Sequence, residues 1–258
     1  MVSIVEKKLI VFDLDGTLAE SKAIMDSEMS GLLVRLLRQR LIAVIGGGAF
    51  YKFEEQFIHS FQCPDELKSR LLLFPTCAAR SYRFEAGAWK ELYADMIPEP
   101  DRQRIRHAFD SVFMEVGYSH PEKTYGEIIE DRGTQVTFSA LGQQAPVAEK
   151  KLWRVTKDWR PLIQAALMAR LPEFEVRLGG ETSIDVTKKG VDKAYGIKQI
   201  EQQTGTAIKE MVFIGDALFE GGNDYPVKAI GVDCLAVAGP SDTKQILREW
   251  LFILESTT

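Results

Sequence analysis

The string Leu9-Ile10-Val11-Phe12-Asp13-Leu14-Asp15-Gly16-Thr17 constrains the fold of this chain more than any other. Four consecutive apolar residues read as a buried strand, and the Asp-Gly step behind them turns the backbone. Two carboxylates therefore arrive at the carboxyl end of a sheet, the edge where open α/β sheets bind ligands. Asp13 and Asp15 are one residue apart, so on an extended backbone they point the same way. Like charges that close call for a cation or a shared proton, and a magnesium ion answers the need. An acidic strand-to-turn junction would explain Asp-x-Asp alone; the whole string is more specific.

A second strand ends in the same way. Phe213-Ile214-Gly215-Asp216 is followed by Gly221-Gly222-Asn223-Asp224, so Asp216 is expected at the edge that carries Asp13 and Asp15, with water completing a metal shell. Between these ends the chain alternates strand and helix. Residues 26–40 show helical spacing, 41–45 a strand ending in Gly46-Gly47-Gly48, 50–61 a helix, and 71–74 a strand. From Ser81 the texture changes to hairpins and helices: an alternating stretch around 82–93, a helix over 98–116, strand pairs at 126–129 with 133–138 and at 174–178 with 182–186, and a helix over 159–171. Strand and helix then resume: a helix at 191–203, a strand at 210–214, two short strands within 227–237 and a last helix at 241–254. The expected fold is α/β, a Rossmann-like parallel-sheet core formed by 1–80 and 187–258, with an α+β domain inserted over 81–186.

Asp13-Leu14-Asp15-Gly16-Thr17 resembles the first motif of the haloacid-dehalogenase (HAD) superfamily of phosphoryl-transfer enzymes. The resemblance implies that Asp13 is a nucleophile forming an aspartyl phosphate and that Asp15 is the general acid/base. Asp216 and Asp224 resemble the acids of the superfamily's last motif, so that Asp13, Asp15 through its carbonyl, Asp216 and Asp224 form the metal set. Lys193, in Gly190-Val191-Asp192-Lys193, matches the lysine that pairs with nucleophile and phosphoryl oxygens. A superfamily member normally has Ser or Thr where Gly46 stands; backbone N–H groups of the glycine loop, with Gly47 as the candidate, could bind phosphate instead, or the loop could be only a tight turn.

The inserted domain is similar to the large α+β cap of one HAD branch (IIB). Gly179-Gly180-Glu181-Thr182-Ser183-Ile184-Asp185-Val186, Gly221-Gly222-Asn223-Asp224, and Arg132-Gly133 with Ser139-Ala140-Leu141-Gly142 resemble eukaryotic-type phosphomannomutases over nearly the whole chain. That likeness implies sugar-phosphate contacts from Ser183 and Asp185 and a grip on the non-transferred phosphate from Arg132. Lys22, Gln143 and Lys150 stand where the family pattern has arginines; lysine keeps the charge without the bidentate fork, and Gln143 loses the charge. The expected activity is Mg²⁺-dependent phosphoryl transfer on hexose phosphates, mannose 6-phosphate to mannose 1-phosphate, with a sugar 1,6-bisphosphate as activator and a homodimer through the cap. A sugar-phosphate phosphatase sharing the first half-reaction is the alternative, and a non-catalytic sugar-phosphate sensor is disfavoured by retention of all the acids and Lys193.

Composition narrows the field. The chain has 258 residues, 45% hydrophobic and 27% charged, which is the profile of a folded globular protein able to bury a sizeable core. A net charge of −5 without a long basic run argues against nucleic-acid binding. The odd, scattered Cys63, Cys77 and Cys234 read as reduced packing residues, and His59, His107 and His120 have no partner spacing. With no signal-like or membrane-length apolar run, a cytoplasmic location is expected.

Overall fold

The computed structural model describes residues 3–256, and the chain divides into two compact units, Met1–Tyr93 with Asp192–Thr258, and Ala94–Val191. In the first unit β1 (Leu9–Asp13) is buried along its whole length. Helix α1 (Ser27–Leu37) follows, started by Asp26, whose carboxylate accepts the Met29 N–H at 2.9 Å. Next come β2 (Leu41–Ile45), α2 (Phe50–Phe53), α3 (Asp65–Lys68) and β3 (Leu71–Phe74). The helix expected over 50–61 is broken: α2 runs into a wide π-type turn over Glu54–Ile58. Strands β4 (Arg80–Glu85) and β5 (Ala88–Ala94) are joined by Ala86 and Gly87, both at positive φ, as a two-residue hairpin turn requires.

That hairpin corrects the expected boundary at Ser81. β4 pairs antiparallel with β3 and extends the first unit's sheet, so Ser81 and the 82–93 alternation belong to the core and the second unit begins at Ala94. The alternating pattern revealed a hairpin without saying which sheet it joins.

The second unit holds α4 (Glu99–Val116), β6 (Ile129–Asp131), β7 (Gln135–Ser139), α5 (Val147–Thr156), α6 (Arg160–Arg170), β8 (Phe174–Gly179) and β9 (Ser183–Lys188). Its sheet has the order β6-β7-β9-β8, all antiparallel. One face, with Val136, Phe138, Ile184 and Val186, packs on Phe109, Phe113, Ile163 and Leu167 of α4 and α6. The strand expected at 126–129 starts later because Gly126 has φ +73° and turns the chain. Helix α5 was not foreseen; of its residues only Lys150 is buried, so its sequence lacks a broad apolar stripe. His120 sits among the rings of Phe113, Tyr118 and Phe138.

The chain then completes the first unit with α7 (Lys193–Thr204), β10 (Met211–Gly215), α8 (Tyr225–Ala229), β11 (Asp233–Ala236) and α9 (Pro240–Ser256). Where two strands were expected within 227–237 there is one; Pro226, in the first turn, favours the short α8 instead. The sheet order is β11-β10-β1-β2-β3-β4-β5, with β11 through β3 parallel. Separate apolar clusters cover its faces, one including Met29, Leu33, Leu247 and Leu251, the other Ile197, Ile200 and Val227. This is the expected Rossmann-like α/β core. Successive strands leave β1 in opposite directions, toward β2 and toward β10, so the topological switch point lies between β1 and β10, where such sheets open a crevice at their carboxyl ends.

Cys63, Cys77 and Cys234 are free thiols; burial pushes Cys63 and Cys234 up to about 11, which leaves them protonated and unreactive at neutral pH. Among the described residues no helix is long and apolar enough to cross a membrane.

Candidate active site

Asp13 closes β1 and Gly215 closes β10, so parallel pairing of Phe12 with Ile214 brings Asp13 and Asp216 to the two lips of the switch point. Asp224 arrives from the loop behind β10, where its Oδ2 accepts the Ala217 N–H at 3.0 Å. Carboxylate oxygens of Asp13, Asp216 and Asp224 all lie within 4.8 Å of one another. The cation facing them is Lys193, which sits at the start of α7, is 1% exposed, and donates to Asp13 at 2.5 Å and to Asp224. The Asp192 carboxylate that caps α7 at the Tyr195 N–H places Lys193 in the first turn. A lysine there opposes the helix dipole, and the acids around it supply the compensation.

The charges are strongly coupled. Burial pushes the Asp13 carboxyl well above its usual range; Lys193 pulls it down, and Asp224 and Asp216 push it up again. For Lys193 burial works against the charge, yet Asp13 and Asp224 outweigh it and hold the ammonium well above the ordinary lysine range. Asp216 has an exposed tip, but loss of surrounding solvent and then the Asp224 charge still raise it. Acidic charge therefore exceeds basic charge at this edge, and carboxylate oxygens at such spacing suit a hard divalent cation.

Two glycines make the crowding possible. Gly16 has φ +80°, and a Cβ there would lie 2.3 Å from Asp216 Oδ2; a Cβ on Gly215 would lie 2.3 Å from Asp224 Oδ2. The acids pack directly onto bare backbone. Asp15 lies outside the three-carboxylate cluster: its Oδ1 accepts the Lys22 N–H at 2.5 Å, with Lys22 at φ +59°. Gly46 spends its N–H on Phe74 O at 3.1 Å, and its carbonyl and that of Gly48 accept from Cys77 and Thr76. The place a side chain at Gly46 would occupy is filled by the Phe53 ring, 3.0 Å from a Cβ built there. Gly46 thus serves packing, while Gly47 and Lys22 stay partly exposed.

The remaining predicted residues gather on the polar face of the second unit's sheet. Registers align Glu130 with Thr137, Thr137 with Asp185, and Asp185 with Arg177. Thr137 Oγ1 donates to Asp185 Oδ1 at 2.7 Å, and Asp185's other oxygen lies over Gly179, where a Cβ would come within 2.6 Å. Arg132 is held by Glu130 through Nε (2.8 Å) and Nη2 (2.6 Å), by Gln135 Oε1 at 3.1 Å and by Gln143 Oε1 at 3.3 Å. Lys150 is 2% exposed and donates to the Gln143 carbonyl at 3.3 Å. Ser183 is buried on β9, at the end of the Gly179-Gly180 turn that Arg160, paired with Asp158, fastens by donating to Gly180 O at 2.7 Å. Glu130, Gln135, Thr137, Arg160 and Arg177 escaped the sequence reading; the alternation Gln135-Val136-Thr137-Phe138-Ser139 was the available signal for the polar face.

A parallel sheet carrying acids and a buried lysine at its switch point, with an α+β insertion after the β4–β5 hairpin, defines a HAD-type phosphotransferase or phosphohydrolase class. Solved structures agree at the level of the fold: a haloacid dehalogenase-like hydrolase from Bacteroides thetaiotaomicron matches with TM-score 0.61 at 15% identity, covering 96% of this chain and 99% of that one. An N-terminally truncated IMP-nucleotidase from Plasmodium falciparum matches with TM-score 0.71 at 14% identity, covering 97% and 72%. The eukaryotic phosphomannomutase family model matches residues 29–253, and the chain belongs to that family. The phosphomannomutase of Encephalitozoon cuniculi is 28% identical over 244 residues, 92% of this chain and 91% of that protein, and human phosphomannomutase 1 is 24% identical over 257 residues, covering 96% and 93%. The chain is accordingly an enzyme of the HAD superfamily, similar in sequence to phosphomannomutases.

Proposed function

We propose that this enzyme catalyses Mg²⁺-dependent phosphoryl transfer on hexose phosphates, with mannose 6-phosphate and mannose 1-phosphate as the pair interconverted. The observation that carries the reading is the buried Lys193 bridging Asp13 and Asp224, with Asp216 alongside. Asp13, Asp216 and the Asp15 carbonyl would hold the magnesium ion, with Asp224 behind them. When bound, the ion supplies the charge neutralisation that lets an anionic ester approach anionic carboxylates.

An Asp13 carboxylate oxygen attacks phosphorus as the bond from phosphorus to the sugar oxygen breaks, and Asp15 gives that oxygen a proton. Lys193, ammonium throughout, keeps Asp13 aligned and offers its charge to the phosphoryl oxygens. In the return step a sugar hydroxyl attacks the acyl phosphate, Asp15 takes its proton, and the Asp13 carboxylate is restored. A sugar 1,6-bisphosphate links the half-reactions as activator. Hydrolysis is the second reading: water replaces the sugar hydroxyl and inorganic phosphate leaves. Gln143 beside Arg132, where the family pattern has arginine, favours it.

The test is acid quenching during turnover with labelled hexose phosphate, followed by mapping of the label. A base-labile label on Asp13, absent from Asp13→Asn, is expected; an active native enzyme that never carries label would overturn the nucleophile assignment. Measuring free phosphate and isomerised sugar phosphate, with and without bisphosphate, separates the two readings. Free thiols suit a cytoplasmic setting. A homodimer through the inserted unit belongs to the same reading, and sedimentation of the purified chain tests it.

A further inference from the structure

The catalytic acids sit at the carboxyl edge of the first unit's parallel sheet, and the amino edge of the same sheet carries an excess of base. Across that edge in sheet order, Asp233 begins β11, Glu210 precedes β10, Lys7 and Lys8 precede β1, Arg40 precedes β2 and Arg70 precedes β3. Backbone bonds tie these starts into one row: the Lys8 N–H donates to Glu210 O at 2.9 Å, the Leu41 N–H to Lys8 O at 3.1 Å, and the Ile42 N–H to Arg70 O at 3.1 Å.

Half of the row is matched from within. Lys7 pairs with Asp233 at 2.5 Å and Lys8 with Glu210 at 2.6 Å. Arg40 instead donates to two carbonyls, Gln39 O at 2.9 Å and Val5 O at 3.5 Å, which leaves its charge without a counter-charge. The Nε–H groups of Arg40 and Arg70 are buried and meet no acceptor among the described residues, and neither guanidinium has a carboxylate partner there. Arg83 of β4, opposite Leu72 of β3, adds a third Nε–H in the same state. Burial, and then the Arg70 charge, hold the Arg40 guanidinium below the ordinary arginine value, so two like charges stand near each other with no acid between them. In a chain of net charge −5 this is a local inversion of sign.

Like charges side by side, with buried donors that lack acceptors, are costly in the absence of a counter-ion. Guanidinium forks match the oxygen geometry of phosphate, and two of them match a dianion where a carboxylate would neutralise only one. We propose that the amino edge of the sheet, at the starts of β2 and β3, is a second anion site in which Arg40 and Arg70 share one phosphate-type dianion. It lies at the opposite edge from the acids and does not rest on the phosphoryl-transfer reading. Occupancy removes the repulsion between the two arginines and fastens the starts of two core strands, so stability follows the concentration of the anion.

Thermal unfolding of the full chain in chelator, with phosphate against chloride at equal ionic strength, tests this. Without a divalent ion the carboxyl edge keeps its excess of acid, which disfavours a dianion there. Phosphate also stabilises proteins through exclusion from their surface, and that contribution is common to native protein and variants. The native midpoint should therefore rise more than that of Arg70→Gln or Arg40→Gln, with an excess that saturates; equal rises overturn the proposal. In titration calorimetry either substitution should weaken phosphate roughly ten- to a hundredfold, and unchanged affinity overturns the assignment of these donors. Hexose 6-phosphate in place of phosphate distinguishes the sources: a matching excess shows a site that reads a phosphate group on an ester, a response to the inorganic ion alone shows a site for free phosphate, and either upholds the dianion site. Acetate giving the same excess as phosphate overturns it. Should the glutamine variants fail to fold, Arg70→Lys, which keeps the charge and loses the fork, takes their place, and an excess equal to native then overturns the proposal.

Discussion

The two polar regions of this enzyme follow opposite electrostatic rules. At the edge of the parallel sheet, Asp13, Asp216 and Asp224 crowd one another with Lys193 as their buried cation, whereas on the second unit's face Glu130, Glu175 and Asp185 each have a basic or hydroxyl counterpart. An excess of acid over base at such spacing suits a hard cation, in keeping with the proposed phosphoryl transfer. On the second face most of the charge is spent on neighbours within the unit. The same residue types thus do different work according to whether their charge is spent inside the protein.

The comparison breaks most severely at Asp13. Asp13→Asn should lower turnover by about three orders of magnitude or more, since the amide keeps shape and loses the nucleophile. Circular dichroism should be unchanged; well-folded Asp13→Asn protein with native turnover would end the distinction between a reactive edge and a face whose charge is matched within its unit.

Gly215→Ala probes the same edge through packing. The added methyl must displace the Asp224 carboxylate, which anchors Lys193 and the Ala217 N–H. A misplacement of about 1 Å costs up to about a hundredfold in rate, so a tenfold to hundredfold loss of kcat with KM nearly constant is expected. A matched change in KM would indicate that the acid acts on ground-state binding instead.

On the balanced face the large effect is on stability. Arg132→Ala removes the guanidinium that holds the half-buried Glu130 carboxylate and two amide oxygens, and losing such charge-assisted hydrogen bonds costs about 1.5–3 kcal/mol. Removing both residues should cost less than the sum of the single changes. Denaturant titration of the cycle checks this; strict additivity would mean that the pair carries no coupling and the face is not balanced in the sense argued.

Why one region was legible and the other only partly so follows from how each is built. Asp13, Asp216 and their strands are short apolar runs that end in Asp, so sequence spacing alone put them on one edge, and the parallel core followed from strand–helix alternation. Depth was harder to read: Lys193 looks like a surface residue at a helix start, and only the resemblance marked it out. Gly16 and Gly215 work through clearances of a methyl group, which no one-dimensional pattern encodes. The second face depends on which strand lies beside which. The pairing of Thr137 with Asp185 joins residues 48 positions apart, and the saturation of Arg132 by Glu130 and Gln135 is a fact of register rather than of spacing. The hairpin of β4 and β5 failed for the same reason: its own pattern was clear and its neighbour was not.

The smallest expected effect lies outside both regions. Asp26 starts α1 by accepting the Met29 N–H, and Lys244 of α9 donates to its other oxygen at 2.6 Å. The Lys244 bond first, then the Met29 N–H, hold the Asp26 carboxyl below its ordinary value. A depressed folded value means the stabilisation is present above the unfolded pKa of about 3.9 and is lost as pH falls through the folded value. Because Asp26 is largely exposed, the ion pair is screened and the cap dominates, so Asp26→Ala should cost about 1 kcal/mol near neutral pH. For a unit of this size that is a drop of roughly 2–4 °C in Tm, and the difference from native should shrink in acid. Asp26→Asn keeps the cap acceptor and should recover most of the loss. Turnover should not move in either variant, because the charge at Asp26 is neither in excess, as at Asp13, nor part of the second unit's face; a change in kcat would show that α1 transmits to the β1 edge and that the two polar regions are not the whole of the functional electrostatics.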